Sequence, residues 1–181
     1  PTERLNILLK TWKEACVNSL DLLFLRIILS LCATDAFHDP LYEETLRLMV
    51  LEIVASLEPV HTDAVSRKIA ERHGWKRVGA RIRARVEEAA KGLGRTRETT
   101  GDFLWINPPE DLVEWRDIPG RDPAEISIAE LAGLLRKEPN IIQTDDPTLA
   151  LASRLGLSRL AESRRSQLST ALEEARERSD A

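Results

Sequence analysis

The sequence is poor in aromatic residues, in glycine and in proline. Aromatics make up 4% of the 181 residues, and there are only 8 glycines and 9 prolines. β-Sandwiches and barrels need many turns and strands rich in aromatic and β-branched residues, so this composition argues against them. Hydrophobic residues still reach 43%, which is enough to form an aliphatic core. We therefore expect a mainly α-helical protein.

Motifs for catalysis and for metal binding are also missing. Cys16 and Cys32 stand alone without CxxC spacing, and His38, His61 and His73 pair with no Cys or carboxylate at metal-ligand spacing. The chain contains no P-loop, no GxSxG and no GxGxxG. We expect a protein that is not an enzyme and that needs neither a metal nor a cofactor.

Long hydrophobic runs are absent as well. The most apolar stretch, Leu20 to Cys32, includes Asp21 and Arg26 and is shorter than the about 20 residues that a membrane-spanning helix needs. The first residues lack the basic start, the apolar run and the cleavage site of a signal peptide. We expect no membrane partner and a cytoplasmic protein whose two cysteines are free thiols.

Apolar periodicity, capping residues and helix breakers divide the chain into four predicted regions. Residues 1–40 form an N-terminal helical region, and residues 41–107 form a winged helix-turn-helix unit. Residues 108–124 are a proline-rich linker, and residues 125–181 form a second, degenerate helix-turn-helix-like unit. The predicted fold class is mainly α, with tandem winged-helix-turn-helix-like units and one short β-hairpin wing.

The first unit has the clearest pattern. Its predicted elements are helices at 43–57, 63–73 and 78–91 and strands at 95–99 and 103–106. Thr62 is a suitable N-cap for the second helix, and Gly74 a suitable stop. Helix, capped helix, turn, helix and hairpin is the order of a winged helix-turn-helix, in which Phe103 and Trp105 pack one face of the hairpin.

An internal repeat supports a second copy. A shift of 82 residues places Thr62 on Thr144 and Gly74 on Gly156, with the same apolar register between them. The predicted helices of the second half lie at 125–137, 147–155 and 158–176. This second copy has fewer positive charges before its third helix and no evident wing.

Positive charge is concentrated between Arg67 and Arg97. This segment holds eleven Lys or Arg and three acidic residues, a net charge of +8 in a chain whose net charge is −4. The last helix of a helix-turn-helix contacts phosphates and base edges. We therefore predict salt-sensitive binding to double-stranded DNA, with weak base specificity because the outer face of the third helix has no Asn or Gln. The predicted contact residues are Lys76, Arg77, Arg81, Arg83, Arg85, Lys91, Arg95 and Arg97.

Two other functions fit the same arginines. They could form a solvated face or a docking surface of a protein–protein adaptor that never touches DNA. The chain could also be a transcription regulator, with a homodimer formed through the N-terminal helices. Base-specific binding to a palindrome would favour the regulator. Salt-sensitive binding to any duplex would favour an accessory DNA-binding role, and no binding would favour the adaptor.

A family resemblance rests on three strings of residues. They are Pro59-Val60-His61, Gly74-Trp75-Lys76-Arg77-Val78-Gly79-Ala80-Arg81-Ile82-Arg83 and Gly101-Asp102-Phe103-Leu104-Trp105. These strings resemble the domain of unknown function, with tandem copies, at the C-terminus of large bacterial superfamily-one DNA helicases, often behind a Vsr-like endonuclease domain. Glu58 stands where that family usually has glycine. The resemblance covers roughly residues 48–175. It implies an accessory role in nucleic-acid processing or genome defence, with a helicase or nuclease as the partner or the parent chain.

Overall fold

The computed structural model describes residues 36–107 and 113–177. Most of the predicted N-terminal helical region, and with it the predicted dimer interface, lies outside these residues. The described chain divides into two compact units. The first comprises residues 36–53 and 66–92, and the second comprises residues 54–65, 93–107 and 113–177.

The described residues are mainly helical, as the composition predicts, with one small antiparallel sheet. The helices are α1 (Glu43–Leu57), α2 (Thr62–Arg72), α3 (Ala80–Ala89), α4 (Ile128–Lys137), α5 (Pro147–Arg154) and α6 (Glu162–Glu177). The strands are β1 (Val60–His61), β2 (Gly94–Glu98) and β3 (Gly101–Trp105). Among the described helices, none combines the length and the hydropathy needed to cross a membrane.

The core of the first unit is built from the apolar faces of α1, α2 and α3. Met49 and Val50 of α1, Ile69 of α2, and Val86 and Ala89 of α3 are all buried. These positions follow the helical spacing of apolar residues in the sequence, which is why the three helices form here. Burial of this stripe leaves the charged side chains of α3 on its other faces.

An aromatic cluster of Phe37, Tyr42, His73 and Trp75 completes the first unit. Phe37 is fully buried. Its ring centroid lies 5.1 Å from that of His73 and 4.8 Å from that of Trp75, and both pairs are T-shaped. His73 stacks on Trp75 at 4.7 Å. The hydroxyl of Tyr42 lies 3.0 Å from Nε2 of His73, and Nδ1 of His73 donates to the carbonyl of Ile69 at 2.7 Å. The cluster therefore fixes the turn that leads from α2 to α3.

Helices α2 and α5 end in the same backbone motif. Gly74 has φ +72° and Gly156 has φ +70°, values in the left-handed region that favours glycine. After the first glycine, the N–H of Trp75 donates to the carbonyl of Ala70. After the second, the N–H of Leu157 donates to the carbonyl of Ala152. Both hydrogen bonds measure 2.9 Å. This is the Schellman motif. The ends of α2 and α5, and likewise the starts of α3 and α6, differ by the 82 residues of the sequence repeat.

The sheet of the second unit has the strand order β1-β3-β2, and both pairings are antiparallel. The predicted hairpin is thus joined by a third strand, in which Val60 pairs with Leu104. Trp105 is buried, and its Nε1 donates to Oγ1 of Thr96 at 3.0 Å. Glu58 accepts a hydrogen bond from the N–H of Ile106 at 2.7 Å, so Glu58 holds the end of β3.

The helical core of the second unit is aliphatic. Its buried residues are Ile126, Leu131, Ala132, Leu134, Leu135, Ile141, Leu151, Ala152, Leu168, Ala171, Leu172 and Ala175. They come from α4, α5 and α6, except that Ile126 lies just before α4 and Ile141 in the turn between α4 and α5. Ser127 caps α4, because its hydroxyl accepts from the N–H of Glu130 at 3.2 Å.

Residues 113–125, which we call the strap, run along α4 and are fixed to it by ion pairs. Glu130 of α4 has no exposed side-chain surface and pairs with Arg116 at 2.8 Å and with Arg121 at 2.6 Å. Arg116 also donates to the carbonyl of Pro59 at 2.9 Å. The described part of the predicted linker is therefore packed against α4 and belongs to the second unit.

Candidate nucleic-acid interface

Three of the predicted contact residues are exposed at the start of α3. Lys76 and Arg77 lie in the turn before the helix, and Arg81 lies in its first turn. Within the parts of the chain that the structure describes, none of the three makes an ion pair. The N-cap residue Gly79 offers no side-chain acceptor to the first N–H groups. The helix dipole adds to the three cations, so this surface attracts anions.

The other predicted residues of the first unit have partners within the protein. Arg85 donates to the carbonyl of Asp39 at 3.3 Å, and its guanidinium lies 5.7 Å from the centroid of a ring in the aromatic cluster. Lys91 forms an ion pair with Glu88 at 2.7 Å. Arg83 is exposed and also has an interaction within the protein. Because Arg85 and Lys91 have partners within the protein, they are less available to an external anion than Arg77 and Arg81 are.

Arg95 and Arg97 belong to the second unit and share one carboxylate. Asp102 of β3 accepts from Arg95 at 2.8 Å and from Arg97 at 3.2 Å. The hydrogen bond from Arg97, together with the one from Arg95, holds the pKa of Asp102 below its usual 3.8. Asp102 therefore stays ionised at neutral pH, and the three side chains form one cluster with a net charge of +1.

Sequence reasoning placed Asp102 only in the turn of the hairpin. Its partner Arg97 lies directly opposite in the observed register. Opposite residues of an antiparallel pair are close enough for their side chains to interact. The alternation of side chains between the two faces of the hairpin was the sequence signal that could have indicated this pair.

Glu98, the last residue of β2, has an unusual environment. Its carboxylate accepts from the N–H of Ile128, the first residue of α4, at 3.1 and 3.0 Å. Burial raises the pKa of Glu98 from 4.5 to about 7, and the nearby carboxylate of Glu174 adds to this effect. Glu98 thus binds a proton in the folded protein at pH values where an unfolded chain has lost it.

The free energy of unfolding should therefore fall as pH rises from about 4.5 through 7. The folded state binds the extra proton in this window, so its stabilising contribution is complete below the unfolded pKa and is lost above the folded one. Glu98→Gln should flatten the profile and raise stability at pH 8 by about 1–3 kcal/mol, a range reduced for partial solvent exposure. Urea unfolding at pH 5 and pH 8 measures both effects.

Glu173 is an exposed residue of the second unit, and Glu173→Gln, which also removes one carboxylate, serves as the control. It should follow the wild-type profile. A Glu98→Gln protein that loses the same stability between pH 5 and pH 8 as the wild type would contradict the assignment.

Two buried histidines have partners within the chain. Nδ1 of His61 accepts from the N–H of Asp63 at 3.1 Å, and its Nε2 donates to the carbonyl of Thr100 at 3.2 Å. His73 belongs to the aromatic cluster. Among the described residues, no group of three or more His, Cys, Asp or Glu is placed to hold a metal ion.

Comparison with known proteins gives one match. The model of a family described as a protein of unknown function (DUF3320) matches residues 35–84. This range includes α1, β1, α2 and the first half of α3, and with them Lys76, Arg77 and Arg81. No curated protein and no solved structure matches the chain. The match supports an uncharacterised domain in this part of the chain.

Proposed function

We propose that this chain is a non-catalytic accessory module that binds double-stranded DNA for a cytoplasmic DNA-processing machine containing a helicase or nuclease. The observation that carries this proposal is the group of exposed, unpaired cations at the start of α3, namely Lys76, Arg77 and Arg81. Arginine and lysine in such a position neutralise phosphates and release counterions, which drives binding without regard to base sequence.

The order of elements supports a winged helix as the scaffold of this surface. Helices α1, α2 and α3 are followed by the β2–β3 hairpin, and β1 lies in sequence between α1 and α2. In that architecture α3 is the helix that enters the major groove. The shared Schellman ends of α2 and α5, and the 82-residue offset, support α4, α5 and α6 as a second copy.

The second copy also supplies the matched control for the DNA surface. At the offset of 82 residues, Arg77 corresponds to Arg159 and Arg83 to Arg165, and both arginines of the second copy are exposed. Arg81 corresponds to Ser163, so the second copy lacks the pair of arginines four residues apart that Arg77 and Arg81 form in the first. The first copy should therefore dominate binding.

Arg77→Glu/Arg81→Glu should weaken binding to a random duplex by about tenfold or more at 50 mM salt, because two phosphate contacts become repulsive. The salt slope should become shallower by about 2. Fluorescence anisotropy of a labelled random duplex across a salt series measures both quantities. Arg159→Glu/Arg165→Glu makes the same change in charge and should lose much less affinity.

The outcomes separate the three functions. No wild-type binding at the lowest salt would overturn the proposal and favour an adaptor that docks onto protein. Equal losses in both double variants would mean that net charge, and not the α3 surface, drives binding. A preference of several hundredfold for one palindromic duplex would favour a transcription regulator.

A further inference from the structure

The arginine cluster of the β2–β3 hairpin is arranged as if one anion were already bound to it. Oδ2 of Asp102 accepts from Arg95 and Oδ1 accepts from Arg97, so each oxygen of one carboxylate takes one guanidinium. The side chain of Asp102 is 17% exposed, whereas that of Arg97 is 86% exposed. An oxyanion with two oxygens between two guanidiniums is also how a phosphate is held by paired arginines.

We propose that Asp102 is an affinity-limiting residue, because its carboxylate occupies the position between Arg95 and Arg97 that a nucleic-acid phosphate would otherwise take. This inference rests on the proposed function. A phosphate that approaches the two guanidiniums must either displace Asp102 or tolerate its negative charge, and both reduce the gain from the contact. The hairpin therefore contributes less to binding than its two arginines suggest.

The fold keeps Asp102 in this role at all pH values near neutrality. Asp102 lies opposite Arg97 in the register of the sheet, so the backbone holds the carboxylate in place. The same arginines keep its pKa low, and protonation does not release them under ordinary binding conditions. Displacement by a competing anion, or a change of residue 102, removes this carboxylate from between the two guanidiniums.

Asp102→Asn tests the inference, because asparagine has the same shape and keeps one acceptor oxygen but carries no charge. The variant should bind a random duplex about 3- to 10-fold more tightly at 100 mM salt, with a salt slope steeper by about 1, since one more phosphate contact forms. Anisotropy across a salt series gives both values. Asp102→Asn should give no such gain when it is added to Arg95→Gln/Arg97→Gln, because the two guanidiniums that would hold the phosphate are then missing.

A second comparison does not depend on Asp102→Asn folding normally. Arg95→Gln/Arg97→Gln and Arg77→Gln/Arg81→Gln each remove two positive charges. Because Asp102 already compensates the hairpin arginines, the first pair should cost about twofold at most, and the α3 pair several times more. Equal losses in the two variants would overturn the inference.

The failures of the two proposals are distinguishable. If the wild type binds and Asp102→Asn binds equally or more weakly, only the inference on Asp102 is wrong. If adding Asp102→Asn to Arg95→Gln/Arg97→Gln gives the same gain as adding it to the wild type, the gain reflects net charge alone and the inference is again wrong. If neither the wild type nor Asp102→Asn binds at the lowest salt, both proposals are wrong.

Discussion

Glu130→Ala should lower the free energy of unfolding by about 3–5 kcal/mol. Glu130 is fully buried between Arg116 and Arg121. Its removal leaves two guanidiniums in a poorly solvated site without their counterion, and desolvation of an unpaired charge is costly. The strap should lose its attachment to α4 as well. Urea unfolding followed by circular dichroism gives the change, and cleavage of the strap by trypsin should become faster.

Two variants separate this effect from a general loss of charge. Glu130→Gln keeps the size of the side chain and one acceptor oxygen, so it should cost less than Glu130→Ala. Asp117 is 78% exposed and lies 4.0 Å from Arg154, so Asp117→Ala should cost less than about 1 kcal/mol. A loss below about 1 kcal/mol in Glu130→Ala would show that water solvates the two arginines and that the strap is held by other contacts.

The helices of the described chain were the most predictable part of the fold. The first predicted helix, 43–57, has the bounds of α1, because acidic residues open it and Glu58-Pro59 closes it. The third was predicted at 78–91, whereas α3 runs from Ala80 to Ala89. Gly79 takes the N-cap conformation and Ala90 the C-cap. Apolar spacing fixes a helix face, but it does not fix the last residue in helical geometry.

The third strand and the strap could not be predicted from local pattern. Strand β1 has only two residues, too few to show any alternation, and its pairing with β3 joins segments about 40 residues apart. The strap was predicted as a linker because it is rich in proline and charge. Arg116 and Arg121 are half-buried and pair with the carboxylate of Glu130, which lies 14 and 9 residues further along the chain. Nothing in a charged, proline-rich segment marks such a pair in advance.

The sequence predicted which basic residues belong to the candidate site, but it did not predict which of them form ion pairs within the protein. The eight contact residues were predicted from the density of cations and from the position of the third helix, and they stay a prediction. The sequence did not show that Arg95 and Arg97 share Asp102 or that Lys91 pairs with Glu88. Pairing depends on side-chain positions across a hairpin or a helix turn, so the set of available cations is smaller than the set of basic residues.

Gly133→Ala should destabilise the second unit by about 1–3 kcal/mol, although alanine is the better helix former by about 1 kcal/mol. Gly133 lies within α4 and is buried. A Cβ at this position would lie well inside van der Waals contact with the carbonyl oxygen of Val113, and 3.1 Å from its carbonyl carbon. Because the obstacle is backbone, no change of rotamer relieves it, and the strap has to move. Urea unfolding gives the change in free energy.

Gly79→Ala is the matched control, since a Cβ there meets nothing within 4 Å. It should cost no more than about 0.5–1 kcal/mol, the preference for glycine over alanine at an N-cap. The effects of Gly133→Ala and Glu130→Ala on stability should also be coupled, because both changes disturb the attachment of the strap to α4. If Gly133→Ala already displaces the strap, Arg116 and Arg121 have partly left Glu130, and adding Glu130→Ala should cost less than it does in the wild type. Additive losses would mean that the strap yields at Val113 while its arginines stay on α4, and that the two attachments are independent.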